Sequence, residues 1–191
     1  MIAELISIDA GSRYNAAIHS RAEKIMLIHY ASVPSPLGKL TAAAQNDALI
    51  GLWFDGQKYF PADTKNWQLA QDHPVLTQLR VWLDGYFQGE KKAFSGKLSP
   101  QGSEFRQAVW QILRRIPYGQ TTTYGAIARQ LAVAQGKPQI SAQAVGGAVG
   151  HNPISLIIPC HRVQGANGAL TGYAGGLDKK QALLELESGI R

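Results

Sequence analysis

Residues 124–149 read YGAIARQLAVAQGKPQISAQAVGGAV and contain two short helical patterns. The first pattern runs from Tyr124 to Leu131 and the second from Ser141 to Val149, with a Gly/Pro-containing connection at residues 134–138. Two short helices joined in this way predict a helix-turn-helix. A plain helical hairpin has the same pattern, so the segment alone leaves both arrangements open.

The second helical pattern carries almost no bulk. Glycine in a helix interior lowers helix stability by about 1 kcal/mol relative to alanine. A run of small residues therefore indicates that the helix backbone packs closely against a bulky partner. That partner is either another helix or a DNA groove, and a slim helix suits the minor groove, which ordinary recognition helices fit poorly. The small residues are Ala142, Ala144, Gly146, Gly147, Ala148 and Gly150.

Cys160 is the only cysteine of the chain and follows a short apolar run in residues 157–162, IIPCHR. A single cysteine excludes an intramolecular disulfide and a cysteine-rich zinc site. It leaves a buried hydrophobic residue, a redox-sensitive thiol or a nucleophile. Because Pro159 holds it at a predicted strand end and His161 follows it directly, we favour the nucleophile.

A nucleophilic thiol needs a base, because its ordinary pKa is about 8.5 and burial raises it further. His161 is adjacent, but neighbouring side chains of an extended segment point to opposite faces, so a water relay or a turn is required. The imidazole in turn needs a carboxylate partner. A glutamate late in a helix, such as Glu187, is expected to be exposed. The carboxylates of this half are Glu104, Asp178, Glu185 and Glu187.

The composition predicts a globular protein with an uneven charge distribution. Residues 1–95 hold nine Lys/Arg and nine Asp/Glu, whereas residues 96–191 hold ten and four, and no acidic residue occurs from Phe105 to Leu177. Such a surface suits a polyanion such as nucleic acid, although a chance excess on a solvated face remains the alternative. No apolar run approaches the roughly 20 residues of a membrane span, and no signal peptide is evident, so a cytoplasmic location is expected.

The chain divides into an expected extension at residues 1–25, a first domain at residues 26–95 and a second domain at residues 103–191. The first domain is predicted to be a small antiparallel sheet, followed by a helix that starts at Pro74 and carries core aromatic residues. Residues 91–102 are assigned to a linker. The second domain is predicted to be mostly helical, so the fold class is α+β. Its first and last helices are predicted from Ser103 to Arg115 and from Leu177 to Glu187.

Three segments together carry a family resemblance: Asn152-Pro153, residues 157–163 (IIPCHRV) and residues 172–177 (GYAGGL). They resemble the signature of the O6-alkylguanine-DNA alkyltransferases, or methylated-DNA–protein-cysteine methyltransferases, over roughly Met26 to Glu187. The resemblance implies direct DNA repair, with one irreversible alkyl transfer per molecule and no cofactor. The implied partner is double-stranded DNA containing O6-alkylguanine, with no membrane and no oligomer expected.

The resemblance also implies roles for the reacting groups. Cys160 is the implied thiolate acceptor, activated through water by His161, which Glu187 orients. Asn152 is expected to brace the helix-turn-helix against the active-site turn. Tyr124 is expected to crowd the phosphate of the flipped nucleotide and to help protonate the departing base.

Four further positions, and the backbone of Cys160, are implied to face the substrate. Lys180 is a candidate for assisting at the leaving oxygen, and Tyr173 is expected to flank the base. The amide of Ala174 is expected to meet O6 of the guanine. The backbone carbonyls of Cys160 and Val163 are expected to accept from its exocyclic amine.

The helix from Ser141 to Val149 is implied to lie in the minor groove. Gln143 stands where many family members have an arginine that fills the gap left by the flipped base, and Ala174 replaces a serine of some members. The other implied DNA or substrate contacts are Ala142, Gly146, Val149 and Arg162.

Two other function classes fit part of the sequence. A catalytically silent lesion-binding or regulatory DNA-binding relative lacks the acceptor cysteine, whereas Cys160 is present. A cysteine hydrolase brings its histidine from far along the chain, and a thiol redox protein has a resolving cysteine. Some family members hold a structural zinc through cysteines of the first domain, and with Cys160 alone that site is not expected here.

Overall fold

A computed structural model of the chain describes residues 27–189. The extension predicted for residues 1–25 lies outside these residues. The described part is a sheet with one helix, followed by a mostly helical half, so the predicted α+β class is confirmed. No helix between residues 27 and 189 has the length and apolar character that a membrane span requires.

The sheet of the first half has three main strands: β1 (Ile28–Val33), β2 (Leu40–Gln45) and β3 (Ala48–Phe54), paired antiparallel as predicted. Two short edge strands, β4 (Gln68–Leu69) and β5 (Lys97–Leu98), pair in parallel with β1 and β3. The sheet is therefore mixed rather than antiparallel. Strand β5 lies inside the segment predicted to be a linker.

Helix α1 (Pro74–Phe87) covers one face of this sheet. Pro74 occupies its first turn, where the missing N–H costs nothing. The chain leaves the helix at Gln88 and turns at Gly89, whose φ of 90° favours glycine. The buried face of α1 consists of Val75, Leu76, Leu79, Leu83 and Tyr86.

The second half contains helices α2 (Glu104–Leu113), α3 (Tyr124–Ala134), α4 (Ala142–Gly150) and α5 (Leu177–Ser188). Helix α2 ends before the predicted Arg115, because residues 114–116 form a turn. Helices α3 and α4 pack against each other and against α2, as in a helix-turn-helix. The side chains that cap the N-termini of α2, α3 and α4 are Ser103, Thr123 and Ser141.

The two halves share one core, and the sheet holds the segment that precedes Cys160. Strand residue Leu52 accepts from Ser155 N–H at 2.9 Å and donates to Pro153 O at 2.8 Å. The strand expected before Cys160 does not form. The apolar residues of that segment are instead buried within turns. Cys160–Arg162 is instead one turn of 3-10 helix.

Candidate active site

Cys160 lies at the start of this 3-10 turn and is only 5% exposed. Its Sγ accepts a hydrogen bond from Asn152 Nδ2 at 3.1 Å. Asn152 follows the end of α4, and its side chain also donates to Ile158 O at 2.7 Å and accepts from Ile154 N–H at 3.0 Å. Asn152 therefore ties the end of the helix-turn-helix to the cysteine turn, the place at which the sequence predicted a brace.

Glu187 is buried at the end of α5, so the expectation of an exposed carboxylate was wrong. A buried carboxylate is tolerated when its lone pairs are filled, and here both oxygens are fully engaged. The donors are Tyr86 OH at 2.7 Å, His161 Nε2 at 2.9 Å, Arg162 Nε at 2.7 Å, Arg162 Nη2 at 2.8 Å and Gly119 N–H at 3.1 Å.

The protonation states follow from this network. Burial acts to raise the pKa of Glu187, but the hydrogen bonds from His161 and Arg162, together with the charge of Arg162, outweigh it and hold that pKa well below its usual value. Burial lowers the pKa of His161 more than Glu187 raises it, so the imidazole is neutral near pH 7. Since Nε2 donates to the carboxylate, Nδ1 carries no proton. This Nδ1 is buried, with no hydrogen-bond partner among the described residues.

Burial also raises the pKa of the Cys160 thiol, opposed in part by the Asn152 hydrogen bond and the charge of Lys180. The resting pair is therefore a neutral thiol beside a neutral imidazole, rather than a thiolate–imidazolium pair. A base must remove the thiol proton before Cys160 can attack, and the unpaired Nδ1 of His161 is suited to receive it.

Lys180 is completely buried, and its Nζ donates to Val163 O at 2.6 Å, Thr171 O at 2.6 Å and Gly172 O at 3.4 Å. Three N–H groups thus meet three carbonyls, which leaves no donor for a leaving oxygen. The ammonium group therefore ties Val163 to the loop that follows it, and the assistance predicted for Lys180 requires one of these bonds to break. The Val163 carbonyl, which was expected to accept from the exocyclic amine of the guanine, already accepts from Lys180.

The loop at residues 171–176 lies beside the cysteine turn and is held from both halves of the chain. Tyr124 OH lies 3.4 Å from the carbonyl of Gly172. Ala174 O accepts from Lys58 N–H, in the loop after β3, at 3.1 Å. Tyr124 and Tyr173 are close enough to Cys160 for thiolate charge to raise their pKa values, although burial is the larger cause for both.

The small residues of α4 lie on two faces of the helix, one packed against the protein and one exposed. Ala148 faces the core, where its carbonyl accepts from Trp110 Nε1 at 2.9 Å, so close helix packing explains this position. Gly146 faces the Tyr124 ring. The outward face of α4 consists of Ala142, Gln143, Ala144 and Gly147, all exposed.

Two residues predicted to contact DNA or substrate are buried in this structure and engaged elsewhere. Val149 is 4% exposed and packs in the core, since it lies about 120° around α4 from the exposed Gln143. The Arg162 guanidinium is committed to Glu187 and to Ile116 O, the latter at 2.6 Å, so it completes the carboxylate network instead.

Sequence reasoning assigned Tyr86 to the core and missed its contact with Glu187. Tyr86 belongs to α1 in the first half and lies 101 positions from Glu187 along the chain. A tyrosine on a buried helix face carries one signal of such a contact, since its hydroxyl needs a polar partner.

The described residues offer no metal centre. No group of three or more His, Cys, Asp or Glu between residues 27 and 189 is placed to hold a metal ion. The candidate active site consists of Cys160, Asn152 and the His161–Glu187 pair.

The lowered pKa values of two histidines predict a loss of stability in mild acid. Burial lowers the pKa of the buried His161 and also that of the half-buried His73, which lies against His29 at 4.9 Å between ring centroids. Below about pH 6.5, the ordinary pKa of histidine in an unfolded chain, the unfolded chain binds protons that the folded chain does not. We expect the free energy of unfolding to fall between pH 7 and pH 5 by up to about 1.4 kcal/mol per pH unit for His161, with a smaller contribution from His73, whose shift is weakened by solvent.

Urea unfolding at several pH values measures this slope. His73→Gln removes one of the two groups, so its slope should be shallower than that of the unchanged protein. Equal stability at pH 7 and pH 5 would contradict the assigned neutral state of His161.

Comparisons with known proteins match both halves of the chain to one family. The model of the 6-O-methylguanine DNA methyltransferase ribonuclease-like domain matches residues 28–100. The model of the 6-O-methylguanine DNA methyltransferase DNA binding domain matches residues 104–189.

Individual relatives resemble the chain over most of their length. The methylated-DNA–protein-cysteine methyltransferase of Mycobacterium tuberculosis is 46% identical over 161 residues, covering 84% of this chain and 93% of the relative. The methylated-DNA–protein-cysteine methyltransferase of Haemophilus influenzae is 42% identical, covering 84% of this chain and 86% of the relative. The crystal structure of M. tuberculosis OGT in complex with DNA has a TM-score of 0.73 and 42% identity, covering 84% of this chain and 93% of that one. Because both halves match, and such similarity spans nearly the whole of each relative, this chain belongs to the methylated-DNA–protein-cysteine methyltransferase family.

Proposed function

We propose that the protein repairs O6-alkylguanine in double-stranded DNA by moving the alkyl group irreversibly to Cys160. The observation that carries the proposal is a buried thiol that accepts from Asn152 and is followed directly by a His161 whose tautomer Glu187 fixes. The DNA complex of the M. tuberculosis relative supports DNA as the partner.

In this proposal the thiol proton of Cys160 passes through one water molecule to Nδ1 of His161. Glu187 stabilises the resulting imidazolium, and Asn152 donates to the thiolate. The sulfur then attacks the alkyl carbon in line with O6, so that an S–C bond forms while the C–O6 bond breaks. The departing guanine takes up a proton, assisted by Tyr124, and leaves as a neutral base. The thioether product is stable to water, so one molecule acts once.

The alkyl carbon is out of reach inside stacked DNA, so the base must rotate into the protein at a cost of a few kcal/mol. We propose that the exposed, slim face of α4 enters the minor groove and that Gln143 fills the gap in the stack. Tyr173 would flank the rotated base and Ala174 N–H would meet O6. The Val163 carbonyl can contribute only through its second lone pair, because Lys180 occupies the first.

A titration tests this function. Increasing amounts of protein are incubated, without cofactor, with duplex DNA carrying one O6-methylguanine, and the remaining lesion is counted. The expected result is a repaired amount that equals the amount of protein and does not grow with time. Repair of many lesions per molecule would refute the single turnover, and DNA binding without any repair would favour a silent lesion-binding protein.

Gln143→Arg tests the placement of α4. The added charge is expected to lie inside the duplex and to displace about one counterion, so the plot of log affinity for duplex DNA against log salt should steepen by about one. Single-turnover repair of duplex DNA should rise by about fivefold, equivalent to roughly 1 kcal/mol, while reaction with free O6-methylguanine base should not change. The exposed Gln130→Arg, on α3, is the matched control. An unchanged salt dependence would place α4 away from DNA.

We further propose that residues 26–95 and 103–191 are the two domains and that the protein acts as a cytoplasmic monomer. Two separate family models, over residues 28–100 and 104–189, support a division into two parts, although the first model extends past residue 95 and includes β5.

A further inference from the structure

A cleft of about 260 Å³ lies behind the Cys160 turn, between α1 and the segment that follows α2. Its walls come from both halves of the chain, and Pro159 and Arg162 close its inner end. None of the residues proposed to meet DNA or the rotated base, such as Gln143 or Tyr173, lines it. We refer to it as the rear cleft; its outer rim is Lys91, Lys92, Arg114 and Arg115, and its floor is Trp82, Phe94, Leu98 and Ile157.

The lining of the rear cleft holds five cations and no carboxylate. Two of the cations are neutralised, because Lys92 pairs with Glu90 at 3.0 Å and Arg162 pairs with Glu187. Lys91 lies 5.9 Å above the Tyr118 ring, a weak contact that leaves its charge available. Arg114 and Arg115 are exposed and make no ion pair within residues 27–189.

The floor of the rear cleft is apolar. Trp82 and Phe94 meet edge to face at 5.9 Å, and the indole N–H of Trp82 is already bound to Lys92 O at 2.8 Å. The remaining ring surface therefore offers only apolar contact. A second groove of about 370 Å³ continues from these two rings along α1, past Val81, which is 71% exposed.

These properties favour a peptide over nucleic acid as the occupant. A duplex is too wide for a cleft of about 260 Å³, and its phosphates would gain nothing from the apolar floor. An extended peptide can place a large apolar side chain between Trp82 and Phe94 while its carboxylates reach the rim. Three cations without a carboxylate partner match two or three acidic residues on such a peptide.

We propose that the rear cleft binds an acidic segment of a partner protein, in which a few Asp or Glu residues stand next to a large apolar side chain. Lys91, Arg114 and Arg115 bind its carboxylates, and the Trp82–Phe94 floor receives the apolar side chain. The occupant lies behind the Cys160 turn and touches none of the residues proposed to meet DNA. This binding is separate from the proposed alkyl transfer and holds or fails independently of it.

Fluorescence anisotropy with the full-length protein tests the rear cleft. The probe is a fluorescein-labelled pentapeptide, Asp-Asp-Glu-Leu-Phe with a free carboxylate, and the control peptide carries lysines in place of its acidic residues. We expect saturable, salt-sensitive binding of the acidic peptide only. The double substitution R114E/R115E should weaken this binding by about tenfold or more, since two attractive contacts become repulsive. The matched control K65E/K137E reverses two exposed cations outside the cleft and should leave the binding within about twofold.

Three results would overturn the proposal: no saturable binding of the acidic peptide up to about 1 mM, equal binding by R114E/R115E and the unchanged protein, or displacement of the peptide by an equal concentration of oligo-dT. The last result would assign the rear cleft to nucleic acid. Melting temperatures of both double variants check folding. If R114E/R115E melts early, the single variant K91E, altered at an exposed loop residue, replaces it with the same expected weakening.

Discussion

Cys160→Ser is expected to abolish alkyl transfer while leaving DNA binding intact. A serine hydroxyl ionises far less readily than a thiol, and burial lowers the pKa of His161, so this imidazole is a poor base for forming the alkoxide that attack on an alkyl carbon requires. Asn152 can still donate to the serine oxygen, so the turn keeps its main support. The exposed face of α4 does not depend on Cys160, so affinity for duplex DNA should change by less than about twofold.

The measurement is single-turnover repair of duplex DNA carrying O6-methylguanine, beside a binding titration with the same duplex. The melting temperature of the variant provides the folding control. Repair by the serine variant at a rate within tenfold of the unchanged protein would show that another group accepts the alkyl.

Glu187→Gln has the second large expected effect. The amide keeps one acceptor oxygen but presents an NH2 group to donors of His161 or Arg162, so at least one buried donor loses its partner. Breaking a buried ion pair in this way costs about 3–5 kcal/mol of stability. His161 also loses the charge that fixes its tautomer and stabilises its imidazolium, so we expect repair to slow by at least about 100-fold.

Glu185→Gln is the matched control, because Glu185 lies two positions earlier on the same helix and is exposed. Its repair rate and its unfolding free energy should remain those of the unchanged protein. If Glu187→Gln behaved like Glu185→Gln in both measurements, the buried network around Glu187 would have no role in the reaction.

Sequence patterns predicted the elements that have a clear period. Helices α1, α3 and α4 begin within one residue of their predicted starts, since apolar residues recur at helical spacing and Pro74 and Ser141 mark two of the N-termini. Strands β4 and β5 were not predicted. Two residues cannot show an alternating pattern, and these strands exist only because β1 and β3 offer them a sheet edge.

The reacting groups were predicted in part. Cys160, His161 and Asn152 lie within nine positions of each other, and their motif together with the resemblance pointed to them. The hydrogen-bond partners of Glu187 could not be predicted from the sequence. They come from α1, from the turn after α2 and from the cysteine turn, which are far apart along the chain. Single-helix reasoning takes a terminal glutamate to be exposed, and only tertiary packing reverses that expectation.

The first half of the chain supports the site through specific contacts rather than through bulk alone. Tyr86 donates to Glu187, Lys58 N–H holds the loop at Ala174, and Leu52 anchors the segment before Cys160. The proposed proton relay and the loop beside it therefore depend on both halves being folded together.

The most direct test of alkyl transfer to Cys160 is the mass of the protein and of its peptides after reaction. The protein is mixed with excess duplex DNA bearing O6-methylguanine, without any cofactor, and then digested. Every molecule is expected to gain one methyl in place of one hydrogen, carried by the peptide that contains Cys160. A methyl group on any other residue, or repaired DNA beside a protein of unchanged mass, would contradict transfer to Cys160.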